Sequence, residues 1–316
     1  MTDTPRTAIL LLAHGTPQSL DQIPEYLRNV TSGRPLPPAA VEEITHRYGL
    51  IGRSPLTDIT MEQGRLLAES LGVPVYVGMR NWRPYIPTTV RRMLDDGITA
   101  AAAICLAPQN SRTSVGLYRR TVLAEAGRTL AIDFTDGWAT HPLLVQAFAE
   151  RLRERHRALV AELRHPVPVL FTAHSVPERT VQPDATGKPA DPYADEARRT
   201  AALVAEAMAA ELAQGGWRFA FQSQGMSGGP WIGPTVEDTL AELRQAGHTT
   251  VLMQPIGFLC DHVEILYDID IGFREYALPL GLRIERTESL NTSPTLIAAL
   301  ADLSRTALAR LAAVAA

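Results

Sequence analysis

The chain alternates short runs of apolar residues with longer segments in which apolar residues recur at helical spacing. The runs that are long enough for buried strands are 7–13, 73–79, 98–107, 130–134, 167–173, 217–223, 249–257 and 282–286. The helix-length segments lie near 20–30, 60–71, 85–96, 113–126, 142–164, 193–213, 235–246, 262–276 and 293–313. Continuous apolar strands that alternate with helices are typical of parallel sheets covered on both faces.

The two halves of the chain repeat one motif at the end of their first apolar run. "LLLAHGTP" at 10–17 and "LFTAHSVP" at 170–177 both give Ala-His, a small residue, one further residue and Pro. A separation of about half the chain indicates an internal duplication. The sequence therefore predicts two similar α/β domains, over 1–140 and 141–290. A last helix, over 291–316, is expected to pack back on the first domain.

His14 and His174 follow the first strand of each predicted domain. Open parallel sheets bind ligands beyond the carboxyl ends of their strands, and both imidazoles are expected there. If the domains face each other about a pseudo-twofold axis, the two histidines look across one cleft from opposite sides. That arrangement suits a flat ligand. The alternative is that each histidine only caps a turn.

A second dense stretch, "PIGFLCDHVEILYDID", covers 255–270. If a helix begins near Asp261, then Asp261, Glu264 and Asp268 share one face, which makes a path for a divalent cation. The alternative is that Asp261 is only the N-cap of that helix. His262 is two residues from Glu264, too close to share a helix face, so the two are not expected to bind one ion.

Two polar segments complete the candidate chemistry. The stretch "PQNSRTSVGLYRR" at 108–120 offers hydroxyl and guanidinium groups at a strand-to-helix turn, which suits carboxylate recognition. The stretch "HRYGLIGRSPL" at 46–56 reads as an irregular loop that is both basic and apolar, which fits an amphiphilic ligand with acidic side arms. The glycine-rich stretch at 225–233 follows no nucleotide-binding fingerprint and is expected to be a tight loop.

Composition narrows the class of protein. The chain has 316 residues, 46% of them hydrophobic, and a net charge of −4, which gives no reason to expect nucleic acid as a partner. No apolar run reaches the length of a membrane span, and the first residues lack the layout of a signal peptide. A cytoplasmic protein without stable membrane insertion, and a monomer, is expected.

The motifs quoted above, with "QSQG" and "PWIGP" after 221, resemble those of the ferrochelatases, which insert Fe²⁺ into a porphyrin. The resemblance runs in order along essentially the whole chain. Within the family, "LLLAHGTP" is most similar to the bacterial branch that works on coproporphyrin III. The resemblance implies two Rossmann-like domains, each with a four-stranded parallel sheet flanked by helices, related by a pseudo-twofold axis. It also implies a lyase of heme biosynthesis.

The resemblance assigns roles to particular residues. His174 and Glu264 would be the catalytic pair at the inner metal site, with His174 accepting a pyrrole proton or ligating the metal. His14 stands where this branch commonly has a tyrosine that ligates the product iron, and imidazole is a competent ligand for haem iron. The positions that match porphyrin-contacting residues of the family are Arg47, Tyr48, Ser54 and Tyr118.

Some positions depart from the family. Thr31 and Ser32 stand where a propionate-binding arginine is expected, and Gly272 replaces an acidic residue that often extends the carboxylate row. Some relatives hold a [2Fe–2S] cluster on four cysteines. This chain has two cysteines, so no cluster and no cofactor beyond the substrate Fe²⁺ is expected.

The expected function is therefore insertion of Fe²⁺ into coproporphyrin III to give coproheme. The alternatives are a ferrochelatase for protoporphyrin IX, a cobalt or nickel chelatase for another tetrapyrrole, and a non-catalytic heme carrier that uses His14 as its ligand. A carrier has no need of the His174–Glu264 pair. The expected mechanism starts from a neutral His174 with an ordinary pKa near ~6.5.

Overall fold

The computed structural model of the chain describes residues 6–183, 187–225 and 229–315. Within these residues the chain divides into two units. The first unit takes residues 6–108, 112–138 and 291–315. The second unit takes residues 109–111 and 139–290. Each unit contains one four-stranded parallel sheet.

The elements follow the predicted alternation, and the eight predicted strands are confirmed to within two residues at each end. The strands are β1 (Thr7–Ala13), β2 (Val75–Met79), β3 (Ala100–Cys105), β4 (Ala131–Thr135), β5 (Val169–His174), β6 (Trp217–Gln222), β7 (Thr250–Pro255) and β8 (Arg283–Arg286). The α-helices are α1 (Ile23–Val30), α2 (Pro38–Leu50), α3 (Leu56–Leu71), α4 (Ile86–Asp95), α5 (Val115–Ala126), α6 (Pro142–Leu163), α7 (Glu178–Val181), α8 (Tyr193–Ala207), α9 (Ala209–Leu212), α10 (Val236–Gln245), α11 (Val263–Leu266), α12 (Arg274–Ala277) and α13 (Pro294–Ala315).

The sheet of the first unit has the strand order β2-β1-β3-β4. Alternate side chains of a strand point to opposite faces. Leu10 and Leu12 of β1 pack with Met93 of α4 and Val122 of α5 on one face. Helices α3 and α13 lie against the strands as well, and α13 contacts β3 and β4. Burial on both faces explains why these strands are continuously apolar.

The sheet of the second unit has the order β6-β5-β7-β8, which repeats the order of the first unit strand for strand. On one face Leu170 and Met253 pack with Leu240 of α10 and Ile269. Gln254, which follows Met253 in β7, donates a 3.1 Å hydrogen bond from its side-chain amide to the carbonyl of Phe148 in α6. The predicted pair of α/β folds is confirmed, with His14 and His174 at the ends of equivalent central strands.

The prediction of an irregular loop over 46–56 is wrong in its first part. Residues 46–50 are the last turn of α2, which begins at Pro38. Tyr48 is the single buried residue of this helix, so its sequence carries almost no apolar period. A proline in the first turn is compatible with a helix because its missing N–H would have no intrahelical partner there.

The predicted helix near 262–276 is broken into three pieces. After α11, residues Asp268–Phe273 form a π-helix, and α12 follows. The Gly272 N–H donates to the carbonyl of Tyr267, five residues earlier, at 2.9 Å. A π-turn places side chains at a different angular spacing from an α-helix. The α-helical face drawn through Asp261, Glu264 and Asp268 is therefore wrong.

The last helix belongs to the first unit although it follows the second unit in sequence. Arg310 of α13 donates from Nε and Nη2 to both carboxylate oxygens of Asp133 in β4, at 2.8 and 2.6 Å. Gln63 of α3 donates 2.5 Å to the carbonyl of Asn291, just before the helix. These contacts join the end of the described chain to the sheet and to α3 of the first unit.

Close approach of the chain at Gly257 predicts the first mutational effect. A Cβ at this position would lie 2.8 Å from Cβ and 2.9 Å from Cα of Ala173, the residue before His174. We expect Gly257→Ala to lower the free energy of unfolding by about 1–3 kcal/mol, because the added methyl overpacks a closed site. Urea unfolding followed by circular dichroism measures it.

Gly49→Ala is the matched control. Gly49 is exposed in α2, and an added Cβ would meet nothing closer than a Leu20 methyl carbon at 4.0 Å. Alanine in place of glycine in a helix is neutral or stabilising by up to about 1 kcal/mol. Equal stability of the two variants would contradict the close approach at Gly257.

Candidate active site

His174 and Glu264 lie in contact in the second unit. His174 Nε2 is 3.3 Å from Glu264 Oε1, and each side chain is 32% exposed. His174 ends β5, and Glu264 lies in α11, which follows the neighbouring strand β7. The carboxyl ends of parallel strands share one edge of the sheet. That topology places together two groups that are 90 residues apart in the sequence.

The backbone around His174 is fixed by hydrogen bonds from three sides. The hydroxyl of Tyr193 donates to the carbonyl of His174 at 2.8 Å. The N–H of Ser175 donates to the carbonyl of Gln222 in β6 at 2.6 Å, and its hydroxyl donates to the carbonyl of Ile232 at 2.9 Å. The imidazole therefore stands on a rigid strand end rather than on a mobile loop.

Both ring nitrogens of His174 face oxygen atoms. Nε2 faces the Glu264 carboxylate, and Nδ1 contacts the carbonyl of Ser175. Both oxygens are acceptors, so the ring meets them best with a hydrogen on each nitrogen, as an imidazolium. Burial opposes that charge, but the Glu264 carboxylate, with smaller contributions from the Ser175 carbonyl and the Asp268 charge, outweighs burial and raises the pKa of His174 to about 9. The expectation of a neutral His174 with an ordinary pKa is wrong for the site without substrate.

Glu264 shows the reciprocal effect. Burial alone raises a carboxyl pKa, but the neighbouring imidazole of His174 holds the pKa of Glu264 well below its usual range. A second imidazole, that of His262, contributes in the same direction. At neutral pH the site therefore contains a carboxylate between two histidines.

His262 is the functional neighbour that the sequence argument missed. Its Nε2 lies 3.2 Å from Glu264 Oε2, and its Nδ1 lies 2.9 Å from the carbonyl of Cys260. The prediction that the two residues do not bind one ion assumed that both lie on one helix. His262 precedes α11 in extended conformation, with φ −163°, so its side chain turns back to Glu264. The signal available in the sequence was the short motif "DHVE", in which His262 and Glu264 are two residues apart.

The other two carboxylates of the predicted row point elsewhere. Asp261 accepts a 2.7 Å hydrogen bond from the hydroxyl of Ser289 and lies 3.4 Å from a guanidinium nitrogen of Arg286. Asp268 accepts a hydrogen bond from the hydroxyl of Ser223, and its charge contributes to the raised pKa of His174. Asp268 is thus electrostatically linked to the pair, whereas Asp261 lies beside Arg286.

His14 stands at the end of β1 in the first unit, with an exposed side chain. Its Nε2 lies 3.0 Å from the hydroxyl of Tyr26. The amide nitrogen of Asn81 is 3.2 Å from Nδ1 and 3.1 Å from Nε2, so it lies over the face of the ring. Gly15 follows with φ 76°, and a Cβ there would come within 2.8 Å of Met79. Sequence reasoning found His14 but neither polar neighbour.

The remaining candidates of the first unit lie on different elements. Arg47 of α2 donates from Nε to Glu43 at 2.8 Å. Tyr48 is buried, with its ring 6.3 Å from that of Tyr26. Ser54 is buried and accepts a 2.9 Å hydrogen bond from the hydroxyl of Thr16.

Tyr118 of α5 is buried against the first unit's core, which raises the pKa of its hydroxyl. Positive charge from Arg80 opposes that shift, so the two side chains are close enough to interact. The structure therefore links Tyr118 to Arg80, the basic residue that follows β2.

A cavity of about 790 Å³ opens in the first unit between α1, the end of β2 and the start of α4. Its polar lining includes Arg28, Arg80, Asn29 and Ser32. Glu25, also in the lining, is paired with Arg83 at 2.6 Å. Arg28 and Arg80 have no carboxylate within 4.0 Å among the residues that the structure describes, and they donate to backbone carbonyls instead.

Part of one predicted segment lies outside the described residues. Residues 226–228 of the glycine-rich stretch at 225–233 are among those not described. Across the described residues, no group of three or more His, Cys, Asp or Glu side chains is arranged to hold a metal ion. In the same residues, no helix combines the length and apolarity that a membrane span requires.

Comparison with known proteins adds family information. The family model described as Ferrochelatase matches residues 6–308. A ferrochelatase of Acidobacterium capsulatum is 62% identical, over 97% of this chain and 96% of its own length. A protein of Geobacillus kaustophilus named coproporphyrin III ferrochelatase is 34% identical, over 93% of this chain and 94% of its own length.

Solved structures resemble the fold at low sequence identity. SirB from Bacillus subtilis with Fe³⁺ superposes with a TM-score of 0.57 at 14% identity, and covers 96% of this chain and 95% of its own. CbiX, titled the terminal enzyme for biosynthesis of siroheme in denitrifying bacteria, superposes with a TM-score of 0.52 at 12% identity. The match covers 95% of this chain and 98% of CbiX. At this identity the likeness is one of fold.

The contact between His174 and Glu264 predicts an unusual titration. In the protein without substrate we expect the His174 imidazole to titrate with a pKa of about 9. Glu264→Gln removes the negative charge, so burial should then dominate and bring the pKa below its ordinary value of about 6.5. Two-dimensional NMR of histidine ring nitrogens measures both values.

The same contact makes stability depend on pH. The pKa of His174 is higher and that of Glu264 is lower in the folded than in the unfolded chain, so the pair's contribution to stability is complete between about pH 4.5 and pH 6.5 and is lost as the pH rises through about 9. Urea unfolding of the unsubstituted protein should show that loss, and Glu264→Gln should not. A titration near 6.5 in both proteins would contradict the ion pair.

Proposed function

The chain belongs to the ferrochelatase family, the lyases that insert iron into a porphyrin, and from this membership we propose that its own porphyrin is coproporphyrin III. Coproporphyrin III carries propionates where protoporphyrin IX carries vinyl groups, so its binding site needs more cationic and hydrogen-bonding side chains. Relatives named for coproporphyrin III are 33–34% identical over almost the whole chain. The relative at 62% identity is named ferrochelatase only.

The observation that carries this proposal is the arginine-lined cavity of the first unit. Arg28 and Arg80 line about 790 Å³ of space without a carboxylate partner in the described residues. A guanidinium group binds carboxylate well because its N–H donors match both oxygens. Asn29 and Ser32 add neutral hydrogen-bonding groups to the same lining. The cavity therefore favours a porphyrin side arm that ends in a carboxylate.

For the insertion step we assign His174 and Glu264 the central roles. Fe²⁺ replaces two pyrrole protons, so the site must remove protons and accept a divalent ion. Without substrate His174 holds a proton because Glu264 faces it. An arriving cation repels the imidazolium and lowers its pKa, so His174 releases its proton to bulk water. As the porphyrin nitrogens take up the charge of the ion, the neutral imidazole accepts the two pyrrole protons one after the other and passes each of them to water. Glu264 offsets the charge of the ion throughout.

We assign His14 to the product rather than to the insertion step. Its exposed ring sits at the end of the central strand of the first unit, with Tyr26 and Asn81 holding it. Imidazole is a strong axial ligand for haem iron. Arg47, Tyr48, Ser54 and Tyr118 are proposed to contact the porphyrin, as the family resemblance implies.

The alternatives are separated by different observations. More than one histidine beside the carboxylate would be a mark of a cobalt or nickel chelatase, and His262 does contact Glu264. That mark therefore does not discriminate, and the family match does. A non-catalytic carrier has no use for a carboxylate between two imidazoles.

Substrate preference is tested by parallel anaerobic assays. We expect Fe²⁺ to quench the fluorescence of coproporphyrin III faster than that of protoporphyrin IX, with the protein required for both. Arg80→Ala should raise KM for coproporphyrin III about tenfold, since one charged hydrogen bond contributes roughly 1.5–3 kcal/mol. Arg91→Ala, on the exposed side of α4, is the matched control and should leave KM unchanged. Faster turnover of protoporphyrin IX would reassign the substrate.

The roles of the two histidines are tested by contrasting substitutions. His174→Ala should abolish Fe²⁺ insertion while coproporphyrin III still binds, because the proton acceptor is lost but the arginine-lined cavity is intact. His14→Ala should retain insertion and change the absorption spectrum of the iron product, because its axial ligand is lost. Stopped-flow fluorescence and product spectra measure these effects. Insertion that survives in His174→Ala would refute the assignment of His174 as the proton acceptor.

A further inference from the structure

We propose that Tyr26 is a positioning residue for His14, and that its hydroxyl group competes with the product iron for the imidazole so that the product can leave. The inference rests on the proposed function, in which His14 ligates the iron of the product, and deepens it. It concerns a residue that no sequence motif singled out. Its consequence is a change in the affinity for the product, which can be measured without turnover.

The hydroxyl of Tyr26 and the imidazole of His14 share a hydrogen bond. The distance from the hydroxyl oxygen to Nε2 is 3.0 Å. A flat macrocycle reaches Nε2 more readily than Nδ1, because Nδ1 lies beside the carbon that joins the ring to the main chain. A nitrogen gives its lone pair to the metal that it binds, so it cannot keep a hydrogen bond to a hydroxyl at the same time. The hydroxyl and the iron therefore compete for Nε2.

Aromatic packing fixes the position of this hydroxyl. Tyr26 lies in α1 and is buried. Its ring packs edge-on against the rings of Trp82 and Tyr48, with the ring centres 6.3 Å apart in both pairs. A buried ring with aromatic neighbours has little freedom to move. The hydroxyl therefore stays beside His14 rather than turning out to solvent.

Contacts from Asn81 hold His14 in the orientation that directs Nε2 to the hydroxyl. Asn81 is buried, and its backbone N–H donates to the carbonyl of His14 at 2.9 Å. Its side-chain amide nitrogen lies over the face of the imidazole, 3.1 Å from Nε2 and 3.2 Å from Nδ1. The side-chain amide of Asn29 donates to the carbonyl of Asn81 at 3.1 Å and fixes that residue in turn. The ring cannot turn away from Tyr26 without breaking these contacts.

The competition acts on the release of the product. Imidazole is a strong axial ligand for haem iron, and a chelatase can start its next turnover only after the iron porphyrin has left. As the bond between Nε2 and iron breaks, the hydrogen bond from Tyr26 forms again. This hydrogen bond stabilises the protein without product, so it lowers the net affinity that His14 contributes.

The experiment measures the Kd of the ferrous iron complex of coproporphyrin III, made beforehand and kept reduced with dithionite. Tyr26→Phe removes the hydroxyl and keeps the aromatic ring. We expect the Kd to fall about fivefold, which corresponds to about 1 kcal/mol, the net contribution of one neutral hydrogen bond. The iron–histidine stretching band in the resonance Raman spectrum should gain intensity, because His14 then ligates a larger fraction of the complex. An unchanged or higher Kd overturns the proposal.

Metal-free coproporphyrin III separates an effect on ligation from an effect on the cavity. It offers His14 no iron, so its Kd should stay within about twofold in Tyr26→Phe. An equal fall in the Kd of both porphyrins would show that the hydroxyl does not act through His14, and would overturn the proposal. In a His14→Ala background, Tyr26→Phe should have no further effect on the Kd of the iron complex, and an additive effect would also overturn it.

Two further variants complete the design. Tyr276→Phe removes the hydroxyl of an exposed tyrosine of α12 in the second unit, and its Kd for the iron complex should match that of the unsubstituted protein. His14→Ala alone distinguishes the two levels of inference. If His14→Ala weakens binding of the iron complex and Tyr26→Phe does not change it, the role of Tyr26 is overturned and the proposed role of His14 stands. If His14→Ala binds the iron complex with unchanged affinity, both roles are overturned.

Discussion

The ion pair of His174 and Glu264 is the interaction around which the candidate site of this chain is built. It requires a particular topology, because the two residues come from neighbouring strands whose ends share one edge of a parallel sheet. It also requires a partly buried setting, since full exposure would screen the charges and full burial would disfavour them. Each group holds the other in its charged form. In the proposed insertion step, the arriving Fe²⁺ therefore competes with the proton that Glu264 holds on His174.

Most of the fold was accessible from the sequence because its strands are continuously apolar. In the first unit the strands are buried on both faces, so apolar and polar residues do not alternate along them and each strand reads as one apolar run. The repeated Ala-His motif marks the equivalent strands of the two units. The helix α2 was missed for the opposite reason. It buries only Tyr48, so it carries almost no apolar period, and the two prolines at its start, Pro37 before the helix and Pro38 as its first residue, are typical of a loop. Hydrophobic patterns in a sequence reflect burial, so a helix that buries few side chains has only a weak pattern.

The candidate site was accessible only in part. The motifs located His174, Glu264 and His14 because each sits beside an apolar run. The contact of His262 with Glu264 was missed because it depends on an extended residue before α11. The orientation of Asp268 was missed because a π-helix changes the angular spacing of side chains. The amino-acid composition of a segment does not predict a π-helix. Charges also shift pKa values through space, which a linear sequence does not display.

The place of α13 in the first unit has a consequence for how the chain reaches its native state. During synthesis the ribosome completes all strands of the second unit before α13, which covers β3 and β4 of the first unit, has been made. Domains of large proteins tend to fold as units, in order of emergence. Here the order is inverted: the half that begins the chain is the last to acquire its full core. Until then, the Ala-rich central strand β3 lacks its contact with α13 and stays exposed on that side. This strand is the segment of the nascent chain that a chaperone would shield.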